Sequence, residues 1–597
     1  MKFKNSKKTV AIALFLALAA TQPLVSAQKV AKSQDLTEER RIVHVLNRLG
    51  FGARPGDVER VKALGLETYI NQQLNPEKIS DTVAENKVRD LNVLNMTTAQ
   101  LYEKYPQPGE LLRQLQQRGM LPDDLAEARE NRVKGGANST PTEMPKNESM
   151  PAQQPPPANP LENEKYRKVI EAYYRENGLE RPQRIMAELQ ASRILRAVYS
   201  ERQLQEVMVD FWTNHFNVFA GKGADRWLLP SYDRDTIRPN AIGKFSTLLQ
   251  ATAQSPAMLF YLDNFQSVSP NANQNRRGGL LQQLRAQQQP QQQRQRRGIN
   301  ENYARELMEL HTLGVDGGYT QKDVQEVARC FTGWTIFQPR GGAAAVNAMT
   351  GEGARRNAGT FFFNQRVHDD GEKTVLGHKI PAGGGIKDAL MVLDILAHHP
   401  STAKFIATKL VRHFVADDPP KALVDRAAAT FTRTDGDIRE TLKTIFMSKE
   451  FNSTEAYRAK IKRPFELVVS AIRTLGAETN GGPQTHQWIA RMGEPLYGFQ
   501  TPNGYSDAAE AWVNTGALLE RMNFGLALAN NRIPGTRVSL TKLNGDHAKV
   551  MDEYLKTLLA GEISSATRET LLKQLDPVDP VTKVVGLILG TPEFQRQ

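Results

Sequence analysis

Four polar side chains that could perform chemistry lie close together on one predicted helix. Asn302, Arg305, Glu306 and Glu309 share one sector of a helical wheel drawn over residues 300–313. The carboxylates of Glu306 and Glu309 are spaced i,i+3, so they could bind a divalent metal or act as acid and base, with Arg305 holding them in place. The alternative is a solvated helix face with an Arg305–Glu309 salt bridge, which stabilises a helix by only about 0.2–0.5 kcal/mol.

His311 belongs to the opposite side of the same predicted helix. It lies about 160° from Glu309 around the helix axis and among apolar neighbours, so one metal ion cannot easily meet both side chains. We therefore favour a core histidine bonded to backbone over a metal ligand. Beyond this helix, Gly314 is a predicted C-cap, and Thr320 with Asp323 predicts the capped start of a second helix.

A second set of polar residues lies in the segment VMVDFWTNHFNVF. Asp210, Asn214 and Asn217 are spaced i, i+4 and i+7 and so line one side of a helix, while three aromatic residues line the other and His215 falls between. Such a stripe is either a solvated face or a buried hydrogen-bonded network, in which every polar group must find a partner. The spacing does not decide between them.

His368 and Asp369 form a third candidate, beside a turn signal at Asp370-Gly371. Because Asp-Gly between apolar segments favours a β-hairpin, we expect a hairpin near residue 370, preceded by the strand-like Phe361-Phe362-Phe363. The two residues could be catalytic, or they could serve only to form the turn.

The N-terminal 27 residues have the pattern of a secretory signal peptide. Four lysines precede an apolar run over residues 10–20, and Val25-Ser26-Ala27 provides a small-residue cleavage site. This run is too short to span a bilayer comfortably, and no later stretch is long and apolar enough for a transmembrane segment. We expect cleavage after Ala27 and a mature protein that is periplasmic or secreted.

Charge and cysteine content exclude several protein classes. The formal net charge of +12 falls to +8 once the four lysines of the signal are removed, and six arginines within residues 276–297 account for most of the rest. No basic groove for nucleic acid is therefore expected. A single cysteine, Cys330, excludes an internal disulfide and cysteine zinc sites. The chain has no nucleophile elbow, phosphate loop, His-Glu-x-x-His or Cys-x-x-Cys motif.

Periodicity over the rest of the chain predicts a mainly α fold, namely a large multi-helical domain with a small β-hairpin and two low-complexity inserts. Residues 135–160 are rich in proline and poor in apolar residues, and residues 266–298 include the tract LLQQLRAQQQPQQQRQRRG. Such compositions cannot form a core. We predict a signal peptide over residues 1–27 and one domain over residues 36–594, interrupted by both inserts.

Seven motifs together resemble one bacterial family, catalogued as domain of unknown function 1800, over nearly the whole mature chain. They are LNRLGFGARPGD at Leu46, DFWTNHFNV at Asp210, NENYARELMELHTLGVDGGYTQKDV at Asn300, HDDGEKTVLG at His368, HPSTAKFIATKLVRHFV at His399, RPFE at Arg463 and GFQTPNGYSDAAEAWVNT at Gly498. The family's last motif usually has Pro-Pro-x-x-x-Gly-Trp, whereas this chain has Thr501-Pro502-Asn503-Gly504-Tyr505. The resemblance implies no established activity. It does imply export, and as a partner a co-encoded exported protein that resembles sulfatases.

We expect the two polar stripes to face each other across one pocket. Asp210, Asn214, His215, Asn302, Arg305, Glu306 and Glu309 would line it, and His368 and Asp369 would close it. The predicted catalytic residues are Glu306, Glu309, Arg305, Asn302, His368 and Asp369, and the candidate ligands of a divalent metal are Asp210, His215, Glu306 and Glu309.

Two functions fit this expectation. One is an exported enzyme with a carboxylate, histidine and arginine site that acts on an envelope or extracellular substrate. The other is a non-catalytic envelope accessory or binding protein, in which the polar stripes are a structural hydrogen-bond network. A carboxylate with a raised pKa would favour the enzyme, whereas fully bonded stripes without an open cleft would favour the accessory protein.

Overall fold

Helices dominate the computed structural model of this chain. It describes residues 36–107, 171–270, 298–337, 356–540, 547–576 and 579–597, together with Leu111, Leu115, Gly119 and Lys168. The structure is 60% helical, and the strands in its described residues form only two-stranded antiparallel pairs. This confirms the predicted mainly α fold class. The predicted signal peptide, the insert over residues 135–160 and most of the second insert (residues 271–297) lie outside the described residues.

Twenty-four α-helices occur in the described residues, and we number them in chain order. The first twelve are α1 (Glu38–Arg48), α2 (Asp57–Leu64), α3 (Leu66–Gln73), α4 (Thr82–Val88), α5 (Thr98–Lys104), α6 (Gln183–Tyr199), α7 (Gln203–His215), α8 (Asp225–Ser231), α9 (Arg238–Asn240), α10 (Phe245–Gln254), α11 (Pro256–Tyr261) and α12 (Glu301–Glu306). The others are α13 (Gln321–Cys330), α14 (Ile386–His398), α15 (Pro400–Phe414), α16 (Lys421–Arg433), α17 (Ile438–Phe446), α18 (Pro464–Thr474), α19 (Pro483–Arg491), α20 (Thr515–Ala529), α21 (His547–Leu559), α22 (Ser565–Lys573), α23 (Val581–Leu589) and α24 (Pro592–Gln595).

Two π-helical turns interrupt this pattern, at Tyr232–Ile237 and Leu307–Thr312. The second continues α12 directly, so the helix predicted over residues 300–313 is α-helical only in its first half. Beyond it, Thr320 caps α13 by accepting a hydrogen bond from Asp323 N, and the Asp323 carboxylate accepts one from Thr320 N. The predicted capping box is thereby confirmed.

Three short strand pairs complete the secondary structure. β1 (Trp334–Ile336) pairs with β2 (Phe361–Phe363), β3 (Lys373–Val375) with β4 (His378–Ile380), and β5 (Glu478–Thr479) with β6 (Thr536–Arg537), all antiparallel.

A hairpin is present near residue 370, but its predicted turn at Asp370-Gly371 is wrong. The chain reverses at Leu376 and Gly377, both with positive φ, which is the backbone that two-residue hairpin turns require. The strand β2 pairs with β1 instead of with β3. Asp370-Gly371 forms a local turn only, in which Gly371 N donates to the Asp369 carboxylate.

The chain forms two compact units. Unit 1 comprises residues 1–95, 187–336 and 361–597, and unit 2 comprises residues 96–186 and 337–360. Among its described residues, unit 2 has α5 and a small core of Leu111, Leu115 and Tyr174. Since unit 2 is built from two stretches that interrupt the chain of unit 1, the single domain over residues 36–594 stays a prediction.

Two helices of unit 1 are enclosed on nearly every side. All eleven residues of α18 are buried, and ten of the thirteen in α7 are buried. A helix surrounded by protein has no solvated face, so any polar residue on it must be bonded internally. This applies directly to the polar stripe on α7. Among the described residues, no helix has the length and apolar character needed to cross a membrane.

Candidate functional site

Asp210, on α7, is buried and bound by two arginines. Arg193 Nη2 of α6 donates to Asp210 Oδ1 at 2.7 Å, and the Arg463 guanidinium donates to Oδ2. Burial by itself would raise the pKa of Asp210, but the positive charges of Arg463 and Arg193 outweigh it and hold this pKa below its usual range. Asp210 is therefore an ionised anchor between helices.

Arg463 joins Asp210 to two further carboxyl groups. Arg463 is the residue before α18, and its backbone N–H donates to the Glu466 carboxylate at 2.7 Å. Its Nη1 donates to Glu494 Oε1 at 2.8 Å. The other oxygen of Glu494 accepts from Phe465 N at 2.8 Å. Burial raises the pKa of Glu494 to about 7, although the charge of Arg463 opposes the shift. One carboxyl of this network therefore titrates near neutral pH.

The network extends through Asp233, on the π-helical turn Tyr232–Ile237. Tyr497 OH donates to Asp233 Oδ1 at 3.1 Å, and Arg193 Nη1 lies 3.5 Å from the same oxygen. Arg238 approaches the second oxygen of Asp233 and donates to Glu206 Oε1 of α7 at 2.6 Å. Five segments of the chain are thus joined by buried ion pairs whose opposite charges stabilise one another.

The other two residues of the predicted stripe, Asn214 of α7 and Asn217 two residues beyond its end, bind a loop formed by residues 498–508. Asn214 Nδ2 donates to Tyr505 O at 2.9 Å, and Tyr505 N donates back to Asn214 Oδ1 at 2.7 Å. Asn217 Nδ2 donates to Phe499 O at 3.1 Å and to Thr501 O at 2.8 Å. The stripe is therefore a bonded network, one of the two alternatives that its spacing allowed.

Gly504 is required by the close approach of this loop to α7. Its φ is +71°, and a Cβ there would lie 2.3 Å from the backbone oxygen of Asn214. No other residue fits without moving the loop. The glycine of the TPNGY motif is therefore required for steric reasons.

A cleft of about 1100 Å³ opens in unit 1 between this loop and α15. Phe405, Lys409 and Arg412 of α15 line one wall, and their spacing puts them on one helix face. Segments within residues 493–512, among them the loop bound by Asn214 and Asn217, line the other wall. The buried stripe therefore shapes an open cleft without lining it.

Cations and a carboxylate meet in this cleft. Asp507 Oδ1 lies 3.8 Å from Nδ1 of the buried His413. Burial would raise the pKa of Asp507, but His413, Lys409 and Arg463 outweigh it and hold this pKa well below its usual range. Burial also lowers the pKa of Lys409, an effect that Asp507 opposes. The cleft thus combines an ionised carboxylate and an adjoining imidazole with a largely buried amine, which are groups suited to acid–base chemistry.

The predicted residues of α12 and its π-helical continuation do not line this cleft. Asn302 is exposed. Arg305 donates to Gln321 at 2.7 Å, and Glu309 accepts from Tyr319 OH at 3.2 Å. The Arg305–Glu309 pair does not form between these described residues. Because i→i+5 bonding begins at Leu307, the 100° wheel no longer gives the directions of the side chains beyond it.

Within this stripe, Glu306 has a raised pKa. It is half-buried, and burial together with the neighbouring charge of Glu309 raises its pKa, against the effect of Arg305. The catalytic role assigned to Asn302, Arg305, Glu306 and Glu309 stays a prediction.

α7 and the Leu307–Thr312 turn meet through histidines. His215 Nε2 donates to the backbone oxygen of His311 at 3.1 Å, and the two rings lie 6.1 Å apart. Burial lowers the pKa of His215 well below its usual value and that of His311 to about 3, so both imidazoles are neutral at pH 7. His311 is buried, as favoured from the sequence.

The four candidate metal ligands are not gathered into one group. Asp210 is bound by arginines, and His215 is bonded to backbone. Across the described residues, no set of three or more histidine, cysteine, aspartate or glutamate side chains is placed to hold a metal ion. The metal role of Asp210, His215, Glu306 and Glu309 stays a prediction.

His368 and Asp369 belong to a separate buried network beside the β3–β4 hairpin. His368 Nδ1 donates to Thr332 O at 2.7 Å, and its Nε2 lies 3.1 Å from Asp388 Oδ2, which also accepts from Lys373 Nζ at 2.6 Å. Arg329 binds both oxygens of Asp369, at 3.1 and 3.0 Å. These partners join the hairpin to α13 and α14, and neither residue lines the cleft. Their catalytic role stays a prediction.

Several residues of the site were not singled out from the sequence. Lys409 and Arg412 lie in the motif HPSTAKFIATKLVRHFV, and Asp507 lies in GFQTPNGYSDAAEAWVNT. The i,i+3 spacing of Lys409 and Arg412 was a usable signal for a shared helix face. Nothing in the sequence paired Arg463 with Asp210, which lies 253 residues away along the chain.

Comparison with known proteins gives one match. A family model described as "Protein of unknown function (DUF1800)" matches residues 44–596, nearly the whole chain. No curated protein and no solved structure matches.

Proposed function

This chain belongs to the DUF1800 family of proteins of unknown function, and we propose that it is an exported enzyme whose active site is the cleft between α15 and residues 493–512. The observation that carries this proposal is the coincidence, in one open cleft, of Lys409, which has no bonded partner among the described residues, and an ionised aspartate next to a histidine. Structural polar groups are normally bonded, so an unbonded lysine in a cleft favours a role toward a ligand.

The residues divide into binding and charge-stabilising roles. Lys409 and Arg412 hold the substrate by charge, since both present N–H groups to the cleft. Asp507 lines the cleft, and its lowered pKa keeps it ionised, so it stabilises positive charge that develops on the substrate, while His413 behind it orients the carboxylate. The buried Asp210–Arg463 network positions this wall through Asn214 and Asn217.

Export rests on the N-terminal pattern of four lysines, an apolar run and Val25-Ser26-Ala27. Within this proposal the chain is cleaved after Ala27 and acts in the periplasm or outside the cell. Its substrate is then a component of the envelope or of the medium.

The test is a product screen on envelope material. The mature chain, purified without chelator, is incubated with isolated peptidoglycan, lipopolysaccharide and capsular polysaccharide, and soluble products are measured by mass spectrometry. We expect one fraction to release products, and Asp507→Asn to lower the rate roughly 100-fold or more, as removal of a group that stabilises charge in the transition state does. The matched control is Asp418→Asn, the same substitution at an exposed position.

Release of the same products at the same rate by wild type and Asp507→Asn would contradict the proposal, as would no release from any fraction. Thermal melting of both variants shows whether a lost rate reflects a lost fold.

A second function is favoured by a different observation. Asp210, Asn214 and Asn217 are all bonded to other segments of the chain, as a structural network requires. Under this alternative the chain is a non-catalytic accessory protein, and the cleft binds a segment of a partner such as the co-encoded sulfatase-like protein implied by the family. Complex formation with that protein, lost in Lys409→Met, combined with no product release from any envelope fraction, would favour this function.

A further inference from the structure

Lys409 and Arg412 bring two unsatisfied cationic groups to one wall of the cleft. The ammonium of Lys409 forms no hydrogen bond and no ion pair with any residue in the described part of the chain, and its nearest aromatic ring is that of Phe405. Within the described ranges, Arg412 forms a hydrogen bond through its Nε alone, which donates to Asp417 O at 3.2 Å. The remaining N–H groups of both residues are therefore available to a ligand.

Among the described residues, no carboxylate forms an ion pair with Lys409 or with Arg412, although the charge of Asp507 acts on Lys409 through space. Asp507 is paired with His413, and Asp417 is bound by Lys460 and by Ala509 N. The imidazoles of His215 and His311, the other titratable groups near Lys409, are neutral. Two adjacent cations in a partly buried wall repel each other and lose hydration, and an anion between them relieves both costs.

The opposite wall has the composition that binds a polar ring. Phe499 and Tyr505 are partly exposed, and their rings contact each other with centroids 4.5 Å apart. Gln500, Thr501 and Asn503, which lie between them in sequence, add amides and a hydroxyl to the same wall. Aromatic faces pack against the C–H faces of a sugar ring, while amides and hydroxyls bond its hydroxyl groups. An aromatic acid or a lipid tail would instead require a wall without these polar groups.

The size of the cleft points to more than one ring. Small-ligand pockets have volumes of roughly 300–1,000 Å³ and enclose most of the ligand. This cleft, of about 1100 Å³, exceeds that range and is open to solvent. Several linked rings can lie along it with their ends in water.

We propose that the cleft binds an acidic oligosaccharide, with a carboxylate or sulfate of one sugar unit held between Lys409 and Arg412 and neighbouring rings packed on Phe499 and Tyr505. The inference rests on the proposed function for the choice of this cleft, and it names the substrate class of that site. The anionic group is a uronate carboxylate or a sulfate ester, which present the same oxygen acceptors to the two cations.

Calorimetric titration of the mature chain with four probes tests the inference. Trigalacturonic acid and a sulfated heparin disaccharide carry the two anionic groups, the methyl ester of trigalacturonic acid is the neutral match, and triglutamate is an acidic peptide. We expect at least one acidic sugar to bind, more weakly as salt rises, and the methyl ester to bind far less. Which acidic sugar binds better identifies the anionic group.

Variants locate the binding. Lys409→Met and Arg412→Met should each weaken binding of the acidic sugar roughly tenfold or more, the loss expected for one charge-assisted hydrogen bond. Lys404→Met, on the exposed side of the same helix, is the matched control and should bind as wild type does. Melting temperatures of the unliganded variants confirm that each is folded.

Four results would overturn the inference: equal binding of the methyl ester, tighter binding of triglutamate than of either sugar, wild-type affinity in Lys409→Met, or no binding of any probe at millimolar concentration. The two proposals fail separately. If acidic sugars bind but are never converted, this inference stands and the proposed enzyme function fails. If a neutral polymer is converted and no acidic sugar binds, the enzyme function stands and this inference fails.

Discussion

The polar stripe on α7 and the polar stripe that begins on α12 both have polar residues at helical spacing, but their surroundings differ. Asp210 is buried and bonded to two arginines, and the partly buried Asn214 is bonded to a loop backbone. Arg305 and Glu309 lie near the surface, where they bond to Gln321 and Tyr319. Carboxylates and amides at helical spacing thus form a structural network in one place and a partly solvated face in the other.

This difference teaches that the partner, and not the stripe, decides what a polar helix face does. A buried charge is stable only when opposite charges and hydrogen bonds surround it. Removal of one partner therefore leaves an unpaired buried charge, which lowers the stability of the fold. A charge near the surface is compensated by water whenever a partner is lost. Substitutions of the same type on the two stripes should therefore differ in effect.

The largest difference should come from removing one arginine on each side. We expect Arg463→Met to lower the free energy of unfolding by about 3–5 kcal/mol, because Asp210 and Glu494 lose a buried cationic partner. Arg305→Met, the same substitution on the other stripe, should stay within about 0.5 kcal/mol of wild type. Urea denaturation of both variants gives the comparison, and equal effects would contradict it.

A smaller difference is expected from the amides. Asn214→Ala removes two part-buried hydrogen bonds to the N–H and C=O of Tyr505, which should cost about 1–3 kcal/mol in total and speed hydrogen exchange at the Tyr505 amide. Asn302→Ala, at an exposed position, should change neither. Unchanged exchange at Tyr505 in the Asn214 variant would show that the loop is held by other contacts.

The pH dependence of stability should also separate the stripes. Since the pKa of Glu494 rises from its ordinary 4.5 to about 7 on folding, its carboxyl binds a proton more tightly in the folded protein between those values. Its contribution to stability is therefore present below about pH 4.5 and is lost as pH rises to about 7. The stability of wild type relative to Glu494→Gln should fall across this window, by at most about 3 kcal/mol.

Glu306→Gln is the control for this titration. The pKa of Glu306 is raised as well, but the side chain is only half-buried, so the change across the same window should have the same sign and be smaller. A flat difference profile for Glu494→Gln would mean that Arg463 keeps the Glu494 carboxyl ionised throughout.

The smallest effects on stability should come from the acidic pair itself. Glu306→Gln and Glu309→Gln should each stay within about 0.5 kcal/mol of wild type at pH 8, where no buried bond is lost. Elemental analysis of the same proteins, purified without chelator or nickel resin, tests the predicted metal site. Near-stoichiometric metal in wild type that is lost from both variants would show that this stripe is functional.

The sequence by itself determined the fold class and much of the local structure. Helical periodicity, the Thr320–Asp323 capping box and the buried placement of His311 depend on neighbours within a few residues, and all three are found in the structure. The predicted position of the hairpin turn was wrong. Asp-Gly is a strong local signal for a turn, whereas strand pairing, such as that of β2 with β1, is decided by contacts across the chain.

Only the tertiary structure decided which polar residues meet. Arg463 reaches Asp210 across 253 residues, and Lys409 and Asp507 face one cleft from segments nearly a hundred residues apart. The π-helical turn at Leu307–Thr312 changes the directions of the side chains beyond it, so a wheel drawn from the sequence cannot give them. Spacing along a helix sets which face a residue occupies, but the free energy of burial and pairing depends on what packs against that face.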